Sequence, residues 1–90
     1  METKNYEVHI KLIRNQSPCH CGHQIGDEWV FDYMTPGGMC SLAYNAIYPV
    51  ALTLRFGGTF PWQDDPDIIE ITCPDSQVHN IFELRRMLKK

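Results

Sequence analysis

The chain predicts an α+β domain: a small antiparallel sheet in strand-strand-helix-strand-strand order, with a kinked or broken helix packed on one face. Three observations carry that prediction. Two segments of alternating hydrophobicity precede a stretch of helical period, and two more follow it. Glycine and proline clusters fall between these segments and not within the strands. The chain has 90 residues and shows no internal repeat and no linker, so all elements share one core.

The first strand is read over Tyr6 to Ile13, where Tyr6, Val8, Ile10 and Leu12 share one face and Glu7, His9 and Lys11 the other. That is the pattern of a half-buried strand. Asn15 to Pro18 reads as a turn. Gly26-Asp27 breaks the chain again before Glu28 to Tyr33, a second strand with Trp29, Phe31 and Tyr33 on a common face, expected to pair with the first.

Thr35-Pro36-Gly37-Gly38 marks a loop. From Met39 to Phe56 the apolar residues Leu42, Ala43, Ala46, Ile47, Val50, Ala51 and Leu54 recur with a helical period. Pro49 removes a helical hydrogen bond and crowds the turn before it, so a kink or break is expected near Tyr48. Gly57-Gly58 predicts a left-handed cap, and Arg55 suits the negative end of the helix dipole. Thr59 to Pro66 forms a loop that presents Trp62. Ile68 to Cys73 alternates as a third strand, Pro74-Asp75 turns the chain, and Ile81 to Met87 is the fourth strand.

A domain of this length buries only about 60% of the surface its unfolded chain exposes, so its core is thin. Small domains commonly add a metal, a disulfide or a partner subunit. The formal net charge of -3 argues against nucleic acid, because counterion release needs a concentrated positive face. Arg85-Arg86 and Lys89-Lys90 cluster at the end, and a basic patch on the last strand stays open. No secretory signal is read at the start and no apolar run is long enough for a bilayer, so a cytoplasmic protein is expected. Reduced thiols there favour metal or redox chemistry over a structural disulfide pair, although four cysteines would also suit two disulfides in an oxidising compartment.

Those cysteines are the sharpest pointer to chemistry. Cys19, Cys40 and Cys73, with His23, match the Cys3His complement of a closed tetrahedral zinc site. Cys19 and His23 form a close pair, and Cys40 and Cys73 stand at element ends. His20 and Cys21 are rival ligands, since alternate residues of an extended segment point to the same side. Zinc is preferred and iron is the variant in a thiolate-rich site. The plain alternative is that Cys40 and Cys73 are small buried hydrophobes. A third reading is catalytic: Cys40 near a helix N-terminus, with His23 as its base, or a redox protein using the Cys19 and Cys21 pair.

Weaker signals are weighed in the same way. Asp27 orients a ligating histidine or merely caps a turn. Asp64, Asp65 and Asp67 lack an EF-hand pattern and read as a solvated loop. Trp62 is a contact residue or a lid on the core. The two Gly-Gly pairs lack phosphate-loop spacing.

The ordered string Cys19-x3-His23-x2-Gly26-Asp27, Pro36-x-Gly38-Met39-Cys40, Tyr48-Pro49, Leu54-Arg55-Phe56-Gly57-Gly58-x2-Pro61-Trp62, Asp65-Pro66-Asp67 and Cys73-Pro74-Asp75 resembles a family of small bacterial and archaeal proteins of under a hundred residues. The match runs from the first strand to Phe82-x2-Arg85. The family carries no assigned activity, so the resemblance implies a shared domain and not a function. It implies that Cys19, Cys40 and Cys73 belong to the family pattern, and that Cys21 is an addition in this chain. The expected function is therefore a small metal-binding accessory module using Cys19, His23, Cys40 and Cys73. The alternatives are a thiol enzyme or redox protein, and a metal-free module that associates through Trp62 and the Tyr48-Pro49 region. A protein partner or self-association is expected; nucleic acid and membrane are not.

Overall fold

In the computed structural model, which describes residues 5–89, the chain forms β1 (Tyr6–Arg14), β2 (Glu28–Phe31), α1 (Ser41–Arg55), β3 (Ile68–Thr72) and β4 (Ile81–Leu88). The class is α+β, with one helix and one four-stranded antiparallel sheet. The expected strand-strand-helix-strand-strand arrangement describes the chain, but the sheet is ordered β2-β1-β4-β3. The first and last strands are thus central partners, joined from Tyr6 opposite Leu88 to Arg14 opposite Ile81, with an irregularity at Ile13. Both are long and apolar on one face, and the sheet places them where two neighbours cover their edges.

The alternation in β1 sets the core. Val8, Ile10 and Leu12 are fully buried, and they meet Phe82 and Leu84 from β4 and Phe31 from β2. Helix α1 covers that face with Ala43, Ile47, Ala51 and Leu54, the spacing of a single helical stripe. His9, Lys11, Glu28, Glu83, Arg85 and Met87 occupy the opposite face.

The expected break at Pro49 does not occur: α1 is one continuous helix with Pro49 inside it. Pro49 and Asn45, whose carbonyl loses its usual donor, both lie on the exposed face, where water replaces the missing partner. The C-terminus closes as the double glycine predicts. The Gly57 N–H donates to the Leu54 carbonyl at 3.0 Å and the Gly58 N–H to the Thr53 carbonyl at 2.9 Å, with Gly57 at φ 87°. A side chain at that φ is strained, so Gly57→Ala is expected to destabilise the domain by about 1–2 kcal/mol in urea unfolding. A loss under about 0.3 kcal/mol would contradict the cap.

Arg55 and Arg86 are turned inward, whereas Arg85 stays exposed. Arg55 is buried, with its guanidinium 4.2 Å from the Tyr33 ring and 4.8 Å from that of Phe56. Asp32 lies beside it, bonded to Lys89, whose ammonium holds the carboxyl below its ordinary value. Arg86 donates to the Leu54 and Gly58 carbonyls at 3.3 and 2.7 Å and to Asp67 Oδ1 at 2.9 Å. The aspartates of the 59–67 loop serve structure: Asp65 Oδ1 accepts the Asp67 N–H, and Asp67 receives Arg86. Gln63 stitches this loop, accepting from the Phe60 N–H and donating to the Asp65, Pro66 and Ile68 carbonyls. No helix is long and apolar enough to cross a membrane among the described residues.

Candidate functional site: a cavity lined by four thiols

Three stretches of chain converge at the N-terminal end of α1. The first is the 15–27 loop. Its start is tied down by the Gln16 N–H to the Val78 carbonyl at 2.9 Å and by Ser17 Oγ to the Gln77 carbonyl at 2.8 Å. Gly22, at φ 81°, then lets the chain turn back with its N–H on the Cys19 carbonyl. The loop ends at Asp27, whose Oδ2 accepts the Gln24 N–H, so Asp27 caps a turn and does not orient a histidine.

The second stretch is Cys40, the N-cap residue of α1. The third is the turn between β3 and β4, which carries Cys73, Asp75 and Asn80. Asp75 Oδ1 accepts the N–H groups of Gln77 and Val78, and the Cys73 N–H donates to the Asn80 carbonyl at 2.9 Å. His79 adopts φ 55° to close this turn.

Between them lies a cavity of about 160 Å³ lined by all four cysteines. Leu42, Ala43 and Val78 supply apolar wall, while His20, Asp75 and Asn80 supply the polar groups. All four cysteines are free thiols; Cys73 is buried, Cys21 exposed, and Cys19 and Cys40 half-buried. Three of the four expected ligands, Cys19, Cys40 and Cys73, thus line one cavity, and Cys21 joins them.

His23 has a different position. It is absent from the cavity lining, and its Nε2 accepts the Cys40 N–H at 2.9 Å while its ring meets Trp29 edge-on at 4.9 Å. In a neutral imidazole the nitrogen that accepts has committed its lone pair and the other carries the proton, so His23 can ligate a metal only by giving up this bond. The same contact turns His23 into the residue that fixes the Cys40 backbone. Among the described residues, no group of three or more His, Cys, Asp or Glu side chains stands at metal-holding geometry. The four sulfurs share a cavity without being drawn to one point.

The electrostatics divide the thiols. No side-chain cap hydrogen bond closes on Cys40, yet the backbone N–H of Ala43 above all, then the Cys21 thiol and the Leu42 N–H, lower its pKa against the opposing effect of burial. Cys21 moves the other way, raised first by its hydrogen-bonding contact with Cys40, and further by burial and by Cys19. The opposite shifts make Cys40 the more acidic of the two thiols and Cys21 the less acidic. The sequence already placed Cys40 near a helix start; the Cys21 to Cys40 neighbour relation was hidden, since nineteen positions separate them and only the loop anchors join them.

The association surface named from the sequence is only partly exposed apolar area: Trp62 is 70% exposed and stacked on Phe60 at 5.0 Å, and Tyr48 packs edge-on against Phe31. Comparison with known proteins adds no further identification: no protein-family model, curated protein or solved structure matches this chain.

Proposed function

We propose that the protein is a thiol–disulfide redox protein in which Cys40 attacks and Cys21 resolves. The observation that carries this reading is the Cys21 and Cys40 thiols lining one cavity, with Cys40 the N-cap of α1. In the reaction, the Cys40 thiolate attacks one sulfur of a small disulfide, breaks the S–S bond and expels one small thiolate. The Cys21 thiol gives up its proton, attacks the Cys40 sulfur of the mixed disulfide and expels the second. Two electrons pass from the protein dithiol to the small disulfide, which leaves as two thiols, and a Cys21–Cys40 disulfide remains. The reverse direction reduces the protein. A reducing compartment such as the cytoplasm suits a reversible pair of this kind.

Reaction with iodoacetamide at neutral pH, followed by peptide mapping, tests the assignment. Because a lowered pKa gives more thiolate at a given pH, Cys40 should be alkylated first, ahead of exposed Cys21, with buried Cys73 last. Cys21 reacting ahead of Cys40 would show that exposure alone governs reactivity.

A second reading is favoured by the convergence of all four sulfurs on one cavity. Zinc, or iron as the variant, would then be held by thiolates, with Cys21 entering the set first built from Cys19, His23, Cys40 and Cys73. In that case the 15–27 loop closes inward on the ion, and the protein acts as an accessory module with a structural metal. Elemental analysis of protein purified without added metal separates the readings. About one zinc or iron per chain supports the metal site, and four freely titrating thiols with no metal support the redox pair.

A further inference from the structure

The two edges of the sheet differ in how they are guarded. At β3 the edge is closed at both ends: the Ile68 N–H donates to the Asp65 carbonyl at 3.2 Å, the Ile68 carbonyl accepts from Gln63 Nε2 at 3.1 Å, and Pro74, which has no N–H, follows soon after the strand. At β2 no such guard stands. The Leu12 N–H donates to the Asp27 carbonyl at 3.0 Å, so in this ladder Asp27, Trp29 and Phe31 turn to β1, and the N–H and C=O groups of Glu28 and Val30 point outward. Among the described residues no further strand or loop backbone bonds them. The strand carries neither lysine nor proline to repel a neighbour. In it and just beyond it, Val30, Tyr33 and Met34 are 45, 73 and 79% exposed, which makes this edge apolar as well as open.

We propose that β2 pairs antiparallel with β2 of a second copy of this chain, so that two four-stranded sheets join across a two-fold axis. The charge on the strand selects the register. Outward-facing residues must oppose outward-facing residues, so the axis lies at Glu28, Trp29 or Val30. At Glu28 it sets two carboxylates face to face, which is destabilising. At Val30 it sets each Glu28 against Asp32 of the other copy, again carboxylate to carboxylate. At Trp29 each Glu28 opposes an uncharged Val30, two hydrogen-bonded pairs form, and the half-buried Trp29 meets its own copy between them. In that register the strand complements itself, and it supplies the partner subunit that a domain with so thin a core commonly adds.

The test is the mass of the reduced, metal-free full-length protein by sedimentation equilibrium, where neither an interchain disulfide nor a shared ion can join two chains. The natural protein is expected at twice the chain mass. Because position 30 lies opposite Glu28 of the other copy, Val30→Glu should weaken the dimer roughly tenfold through two like-charge pairs, whereas Val30→Lys should keep it. Adding Glu28→Lys to Val30→Glu should restore the dimer, which separates a charge effect from a failure to fold; a circular-dichroism melt of each variant checks the fold directly. A natural protein of single-chain mass up to about 1 mM would overturn the pairing and leave the edge to a strand of another protein. A dimer indifferent to Val30→Glu would overturn it too, since its interface would lie elsewhere. Loss of the dimer in Val30→Glu and Val30→Lys alike would overturn the register, because Val30 would then oppose its own copy.

Discussion

Replacing Cys40 by serine is expected to abolish the intramolecular disulfide and to remove the fastest-reacting thiol, whereas Cys19→Ser should leave both in place. The asymmetry follows from position. Cys40 is the N-cap of α1, where the N–H groups of Ala43 and Leu42 and the Cys21 thiol lower its pKa. Cys19 contributes to the shift of Cys21 and not to that of Cys40. A serine hydroxyl at position 40 can still cap the helix, and serine is a better N-cap than most residues. The variant should therefore fold, and its loss of chemistry cannot be ascribed to lost structure. Exposure to a small disulfide should leave Cys40→Ser with mixed disulfides alone, read as mass added to single cysteines. A metal-centred account predicts a different outcome, in which Cys19→Ser and Cys40→Ser are equally damaging because each removes one ligand.

The largest effect on stability is expected at Arg86. Its side chain is almost wholly buried and ties together three parts of the chain: the C-terminus of α1 at Leu54 and Gly58, the 59–67 loop at Asp67, and β1 through the Tyr6 ring, 4.9 Å from the guanidinium. The ion pair is the lesser part, because Asp67 is more than half exposed and such pairs contribute about 0–1 kcal/mol. The two carbonyls matter more. At this helix end the Leu54 carbonyl keeps the Gly57 N–H, but the Gly58 carbonyl loses its donor, and a buried acceptor left unpaired costs about 1–3 kcal/mol. Arg86→Met keeps the stem and removes the donors, so a loss of about 3 kcal/mol is expected. At roughly 4–8 °C per kcal/mol for a domain of this size, Tm should fall by about 12–24 °C in a circular-dichroism melt. A fall under about 4 °C would show that water replaces the guanidinium at the helix end.

Both sites show what the sequence made legible and what it did not. The alternation of Val8, Ile10 and Leu12 and the 43, 47, 51, 54 stripe of α1 are local patterns, and each lies in the core as its period implies. The sheet order is non-local. Nothing in β1 or β4 taken alone says that they pair, because strand neighbours depend on where the helix returns the chain. Pro49 misled for a related reason: the cost of a proline in a helix depends on whether the orphaned carbonyl is dry, and here its turn faces outward.

The same distinction divides the site residues. Cys19, Cys40 and Cys73 could be grouped from their residue type, and they do line one cavity. His23 was grouped with them by type as well, but its Nε2 is engaged by the Cys40 N–H, a contact decided by how the 15–27 loop folds over the helix start. Cys21, which the sequence offered only as a rival ligand, is brought to the cavity by the same loop. Arg86 carries no sequence motif at all. Its role exists only because a helix end arrives beside it.

The central claim is that Cys40 and Cys21 form a reversible redox pair, and the direct measurement is the disulfide present at equilibrium. Metal-free protein is held in graded ratios of a small thiol and its disulfide, quenched by alkylation and mapped by mass spectrometry. The redox reading predicts a single two-electron transition in which a Cys21–Cys40 bond appears while Cys19 and Cys73 stay free. Four thiols that remain reduced, or acquire only mixed disulfides, up to fully oxidising ratios would contradict it.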